Sequence, residues 1–121
     1  EKALMSSDNE EGVDVVEFTV APQVNPPKGE LPYHEWFIEF GKKPADMKAF
    51  ALKVDKALQK KNIYYFDLVE GNILQPLIIQ SLQKDAFINY MRAQGKLGGQ
   101  NKVPRLSNDR KIAEELKQYI I

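Results

Sequence analysis

The sequence predicts an α+β domain: a mixed sheet of about four strands with helices packed on it, in the order ββαββαα. Three observations predict this class. Residues 13–21 and 33–40 alternate with the period of a strand. The segment after Pro44 repeats apolar side chains every three or four positions, as an amphipathic helix does. Residues 63–69 and 73–82 are rich in strand formers and precede two further helical patterns.

The first two strands are defined by their alternating faces. In the first, Val16, Phe18 and Val20 share one face. In the second, His34, Trp36, Ile38 and Phe40 fall on one side, and Tyr33, Glu35, Phe37 and Glu39 fall on the other. A proline-rich turn separates the two runs, so we expect the strands to pair antiparallel.

The first helix is predicted to have Pro44 in its first turn, where a missing N–H costs nothing. Its apolar stripe consists of Met47, Phe50, Ala51, Val54 and Leu58. Lysines at its end oppose the negative end of the helix dipole. The helix is predicted to end at Asn62.

The next two segments are predicted to form a hairpin. Residues 63–69 form one strand, and the turn Glu70-Gly71-Asn72 leads into a second strand at 73–82. Pro76 has no backbone N–H to donate to a neighbouring strand. This second strand is therefore expected at an edge of the sheet or with a bulge.

Two helices complete the domain. Residues 85–94 carry Phe87, Tyr90 and Met91 on one stripe and end before Gly95. The caps of the last helix are predicted to come from Ser107, Asn108 and Asp109, and its buried face from Ile112, Leu116, Tyr119 and Ile120.

Composition excludes several classes of function. A chain of 121 residues is one domain by length, with 17 basic and 17 acidic residues and no cysteine. Zero net charge argues against a nucleic-acid partner, and no apolar run approaches the ~20 residues that span a bilayer, so no membrane partner is expected. Disulfides and thiol catalysis are excluded, and we expect a cytoplasmic location.

Other residue types give no clear site. His34 is the one histidine, but no serine or acid stands at a catalytic spacing from it, which favours an ordinary residue at a strand end. Glu35 and Glu39 do not make a metal site by themselves, so no metal is predicted. The aromatic residues of 36–40 and 64–66 follow the period of strand interiors, which favours core packing over stacking on bases.

The run GKLGGQNKVPR, residues 95–105, raises a separate question. Gly95, Gly98 and Gly99 loosen the backbone before Lys102, while Pro104 restricts the residue after it. The run is not a P-loop, because its glycine spacing is wrong and a proline follows the lysine. The spacing leaves two interpretations open: a solvated loop lysine, or a cation delivered to an anionic group on another surface.

The segments DVVEFTV and YHEWFIEF, together with the glycine loop and NKVPR, resemble the carboxy-terminal domain of the auxin-responsive Gretchen Hagen family, in a bacterial rather than a plant form. These are acyl-acid amido synthetases, related to the acyl-adenylate-forming enzymes. The resemblance extends over nearly the whole chain from Val13 onward. The sequence departs from the family at Asn101, where plant members carry an aromatic residue before the lysine.

The resemblance implies a two-domain ligase with ATP and Mg²⁺ bound mainly by an amino-terminal adenylation domain of the same chain, and with a carboxylic acid and an amino acid as substrates. Residues 13–121 would be the mobile cap, and residues 1–12 the end of a helix and a linker from the upstream domain.

The resemblance also implies roles for the residues around the lysine. Lys102 would contact the reacting carboxylate and α-phosphate, and Arg105 would contact the other domain or a phosphate. The residues that would shape the loop are Gly95, Gly98, Gly99 and Pro104. The fragment alone would be inactive. The alternative is a free-standing regulatory module that binds a small ligand or a protein.

Overall fold

The computed structural model describes residues 13–24, 26, 29–95, 106 and 110–121. Within them, three strands form one mixed sheet in the order β1-β2-β3, with β1 at Asp14–Gln23, β2 at Tyr33–Lys42 and β3 at Ile78–Leu82. β1 pairs antiparallel with β2, as predicted, and β3 pairs parallel with β2. The predicted α+β class with a mixed sheet is confirmed.

Helices cover both faces of the sheet. The helices are α1 at Met47–Lys61, α2 at Ile63–Glu70, α3 at Ala86–Ala93 and α4 at Lys111–Leu116, followed by a short 3-10 helix at Lys117–Tyr119. One face of the sheet packs on α1, through a core cluster of Val13, Phe18, Val20, Trp36, Ile38, Phe40, Phe50, Val54 and Leu77. The other face packs on α3 and α4, through Ala21, Phe37, Leu82, Ala86, Phe87, Met91, Ala113 and Leu116. The central strand β2 is therefore buried on both sides.

The predicted strand at 63–69 is wrong, because these residues form α2. Asn62 ends α1 and also begins α2: its side-chain oxygen accepts the N–H groups of Tyr64 at 3.0 Å and Tyr65 at 3.2 Å. This cap offsets the strand preference of the aromatic residues that follow. The order among the described elements is ββααβαα rather than ββαββαα.

The predicted hairpin at Gly71-Asn72 is also wrong, since the same residues end α2. Asn72 has a φ of 57°, the left-handed conformation that commonly ends a helix. The N–H of Gly71 donates to Asp67 at 2.9 Å, and the N–H of Ile73 donates to Leu68 at 2.9 Å. Pro76 precedes β3 instead of lying within it, so the edge or bulge predicted from this proline does not apply. Among the described strands β3 is the last of the sheet, and its outer side carries an antiparallel bridge between Leu82 and Ile120.

Two smaller corrections concern β1 and α1. Val16 does not share the buried face of Phe18: it is 58% exposed, because the register with β2 shifts between Val15 and Glu17. Val15 packs against the core in its place. α1 begins at Met47 rather than at Pro44, with Asp46 as a cap that accepts the N–H of Ala49 at 3.1 Å.

The stripe predicted for α3 is confirmed, whereas α4 ends at Leu116, so Tyr119 lies in the 3-10 helix and Ile120 follows it. Phe87 and Met91 are buried on α3, with Tyr90 packed against the same cluster, and Leu116 is buried on α4. The N-cap position of α4 is Arg110, and the predicted caps at 107–109 lie outside the described residues. In the part of the chain that the structure describes, no helix is both long and apolar enough to cross a bilayer.

Candidate functional site

Of the predicted site residues, only Gly95 lies within the described part of the chain. Lys102, Gly98, Gly99, Pro104 and Arg105 all lie outside it. Their predicted roles therefore stay predictions. What the structure gives is the geometry of the residues on either side of residues 96–105, the lysine segment.

The upstream side is the end of α3. Gly95 has a φ of 69°, and its N–H donates to the carbonyl of Arg92 at 3.0 Å. A residue with a Cβ is strained in this conformation, which explains the glycine at this position. Gly95 thus ends the helix as predicted.

The downstream side is held at two points. Leu106 forms a parallel β-bridge with Val20, at the outer edge of β1. Four residues later, the guanidinium of Arg110 lies 2.7 Å from the carboxylate of Glu35, which is buried on β2. Gln80 on β3 donates to the other oxygen of Glu35 at 2.8 Å. The chain therefore lies at the edge of the sheet at Leu106 and is linked to the central strand by the ion pair between Arg110 and the buried Glu35.

Glu39, the second carboxylate on this face of β2, caps α3. Its two oxygens accept the N–H groups of Asp85 at 3.0 Å and Phe87 at 3.2 Å. Asp85 itself has a φ of 64° and makes no side-chain cap of this helix. Both carboxylates are thus engaged in protein contacts, and the described residues contain no group of three His, Cys, Asp or Glu that could hold a metal ion.

A polar cluster lies on the opposite face of the sheet, between α1, α2 and the approach to β3. Asp55 is 2% exposed, and one of its oxygens accepts the hydroxyl of Tyr65 and the N–H of Leu77, the latter at 3.0 Å. Gln59 donates to its other oxygen at 2.6 Å. Burial and the neighbouring Asp55 carboxylate raise the pKa of Tyr65, so the tyrosine stays protonated and donates.

Next to this cluster is a cavity of about 380 Å³. Its buried walls include Phe18 and Trp36, which stack with ring centroids 5.8 Å apart. His34 also lines it, stacked on Tyr65 at 5.5 Å. Burial lowers the pKa of His34, although Asp55 partly opposes that shift. Leu106, the downstream anchor of the lysine segment, lines the same cavity.

Sequence reasoning missed this cluster and the cavity. Tyr65 was assigned to a strand, so its contact with Asp55 could not be foreseen. The signal lay in the first helix: Asp55 falls within the apolar stripe that contains Ala51, Val54 and Leu58. A carboxylate on a core-facing stripe indicates a buried polar partner.

The architecture defines a small α+β domain whose lysine segment starts at a helix end and returns to a sheet edge. Residues 1–111 match the family profile described as "GH3 family C-terminal domain". This match covers more than half of the chain, so the chain belongs to the GH3 family, as its C-terminal domain. The predicted membership of the Gretchen Hagen family, as a C-terminal domain, is therefore confirmed.

Solved structures show the same fold. One, described as a GH3.15 acyl acid amido synthetase, superposes with a TM-score of 0.77 at 17% identity over 99% of this chain. A second, AtGH3.15 acyl acid amido synthetase in complex with 2,4-DB, gives a TM-score of 0.73 at 19% identity, also over 99% of this chain. This chain spans 23% of the length of each. A search of curated protein sequences returned no match.

Proposed function

We propose that this domain is the mobile C-terminal part of an ATP-dependent acyl-acid amido synthetase. The observation that carries the proposal is the family match over residues 1–111. The likeness in fold to two acyl acid amido synthetases supports it, and together they favour this function over a free-standing regulatory module. The partner would be an amino-terminal adenylation domain in the same polypeptide.

The reaction would proceed in two steps. A carboxylate oxygen of the acid attacks the α-phosphorus of ATP, and pyrophosphate leaves with the electrons of the broken P–O bond. The amine of an amino acid then attacks the carbonyl carbon of the acyl-adenylate, AMP leaves, and the nitrogen loses a proton. ATP and Mg²⁺ would be bound mainly by the amino-terminal domain.

Lys102 would act in the first step. Two anions approach each other there, and negative charge spreads over the oxygens of the α-phosphate in the transition state. An ammonium in a closed site stabilises that charge more than it stabilises the separated reactants. Removing this ammonium should raise the activation free energy of adenylate formation by roughly 3–4 kcal/mol, by analogy with the loss of one hydrogen-bond donor from an oxyanion hole.

The residues around the lysine segment fit this role. Gly95 ends α3 in a conformation that favours glycine, and Leu106 and Arg110 tie the returning chain to β1 and β2. Fixed ends let the domain carry Lys102 toward its partner when the domain itself rotates, as closing elements of enzymes do. Arg105 would then contact the partner domain or a phosphate.

The test is ATP–pyrophosphate exchange by the full-length polypeptide over a panel of carboxylic acids. Lys102→Ala should lower the rate ~10²–10³-fold with the best acid. Lys96→Ala removes the same charge at another position between residues 96 and 105 and should leave the rate within about twofold. Exchange at the normal rate by the Lys102 variant would refute the role of this side chain. The 121-residue chain alone should show no exchange.

A further inference from the structure

The solvent-facing side of α1 consists almost entirely of lysine. Residues 48, 52, 56 and 60 are each four positions apart, so they follow one another along the same side of the helix. At 1.5 Å per residue this row is about 18 Å long. The exposed residues of α1, which we call the lysine face, are Lys48, Leu52, Lys53, Lys56, Lys60 and Lys61.

The positive charge of this region is not balanced by exposed acids of α1. Residues 42–61 contain seven lysines and two aspartates, a net charge of +5, in a chain whose total net charge is zero. Asp46 lies before the helix and caps its first turn. Asp55 is 2% exposed and is bonded to Tyr65. The lysine face therefore presents positive charge alone to the solvent.

The lysine face differs in this respect from the surface around α4. There, Glu114 lies 3.4 Å from Arg110 and 3.0 Å from Lys117. Lys56 and Lys60 make no ion pair with any residue in the part of the chain that the structure describes. Like charges four residues apart destabilise a helix, whereas opposite charges stabilise it. An anionic partner would remove the repulsion between the two ammonium groups.

The composition of the face favours a lipid surface over other polyanions. Protein interfaces are depleted in lysine and enriched in arginine and aromatic residues, and nucleic acids are commonly contacted by the same two classes. The lysine face contains neither class. Clusters of roughly four to eight basic residues on a helix are typical of contacts with anionic phospholipid headgroups. Leu52, 54% exposed among the lysines, suits the boundary between headgroups and acyl chains.

We propose that the lysine face of α1 binds the surface of a membrane that contains anionic phospholipids. The ammonium groups contact the lipid phosphates, and Leu52 enters the headgroup–acyl boundary. The lengths of the apolar runs bear only on a spanning helix, which this peripheral contact does not need. The inference does not depend on the proposed ligase reaction.

Sedimentation with lipid vesicles tests the dependence on charge. The 121-residue protein should bind vesicles of phosphatidylcholine with about 30% phosphatidylserine, with a Kd in accessible lipid on the order of 1 mM or below. It should bind pure phosphatidylcholine at least about tenfold more weakly. Raising the salt concentration from about 0.05 M to about 0.5 M should release it, because salt screens the charges. Short duplex DNA at a phosphate concentration equal to that of the accessible lipid should not displace it.

Two pairs of substitutions separate the position of the charge from its total. Lys56→Gln together with Lys60→Gln should weaken binding to the anionic vesicles about 30-fold, at about fivefold per lysine. Lys84→Gln together with Lys111→Gln removes the same charge beside α3 and on α4, and should weaken binding less than about threefold. All four side chains are exposed, so both double variants should stay folded.

A fluorescent label tests which face touches the lipid. The chain has no cysteine, so Leu52→Cys gives a single attachment point for a polarity-sensitive fluorophore. Its emission should shift to the blue with anionic vesicles, because the label enters a less polar environment. Ile88→Cys, at a position on α3 that is 46% exposed, should show no shift.

Four results would overturn the proposal. They are equal binding to the two kinds of vesicle, equal weakening by the two lysine pairs, displacement of the protein by duplex DNA, and the same emission shift, or none, at both labelled positions. Displacement by DNA would instead indicate a nucleic-acid partner. Because pyrophosphate exchange is not among these readouts, failure here is distinguishable from failure of the proposed ligase function.

Discussion

Replacing Tyr65 with phenylalanine tests the buried polar cluster that joins α1, α2 and the start of β3. The hydroxyl of Tyr65 donates to Asp55, and it also accepts the N–H of Leu77 at 3.2 Å. The phenylalanine keeps the ring and its stacking on His34, so the change removes the hydroxyl alone. The backbone N–H of Leu77 keeps its bond to Asp55 at 3.0 Å.

The expected loss of stability follows from these contacts. One hydrogen bond to a carboxylate is removed, worth about 1.5–3 kcal/mol. No backbone donor is orphaned, and Gln59 still donates to Asp55 at 2.6 Å. We therefore expect a loss of about 2 kcal/mol, which lowers the midpoint of urea unfolding by about 1 M at an unchanged slope.

Tyr64→Phe is the matched control, because its ring is 79% exposed and lies on the same turn of α2. We expect its stability to stay within about 0.5 kcal/mol of the parent protein. Equal midpoints for the Tyr64 and Tyr65 variants would refute the reasoning, since the two hydroxyls differ chiefly in burial and partner.

The same hydroxyl predicts a pH dependence. Burial, with Asp55 as a second cause, raises the pKa of Tyr65 above its ordinary value of 10.0. The stability that depends on the protonated hydroxyl is therefore complete below pH 10 and is lost as the pH rises above it. The difference in stability between the parent protein and Tyr65→Phe should shrink on the alkaline side of pH 10. A difference that stays constant there would show that Tyr65 titrates normally.

Two further predictions concern the single histidine and the cap of α3. Burial lowers the pKa of His34 below 6.5, so its contribution to stability is present above pH 6.5 and is lost as the pH falls. An NMR titration should give the lower value, and a normal pKa would contradict the packing on Tyr65. Glu39→Gln leaves one oxygen to accept two N–H groups at the start of α3. We expect a loss of about 1–2 kcal/mol in urea unfolding, and a change below 0.5 kcal/mol would refute the capping role.

Local patterns predicted the parts of the fold in which side chains repeat regularly. The alternating side chains of β2 and the apolar stripes of α1 and α3 arise because each element packs against the same neighbouring elements along its whole length. The period of the sequence alone was therefore enough to locate these three elements. Val16 was misassigned because a bulge inserts one residue, and nothing in the composition of β1 signals it. Pro44 was placed in α1, whereas Asp46 provides the cap.

The candidate site was less accessible from sequence. Gly95 could be predicted, because a glycine after a helical stripe has a local reason to be there. The contacts of Arg110 with Glu35 and of Leu106 with Val20 join residues far apart in the sequence. Such contacts are decided by tertiary packing and leave no periodic signal. The role predicted for Lys102 rests on the resemblance of the sequence to the Gretchen Hagen family. The structure describes only the residues on either side of the segment that contains this lysine.

The misassigned helix, the polar cluster and the cavity have one physical origin. Asn62 ends α1 in an extended conformation and at once caps α2, so the chain turns back over the sheet instead of adding a strand to it. This turn brings the ring of Tyr65 to His34 and its hydroxyl to Asp55. It also places α2 so that the helix forms one wall of the cavity over Trp36. A strand at 63–69 would need a neighbour in the sheet for its backbone groups. The helix satisfies these groups internally, and its side chains are then free to form a pocket.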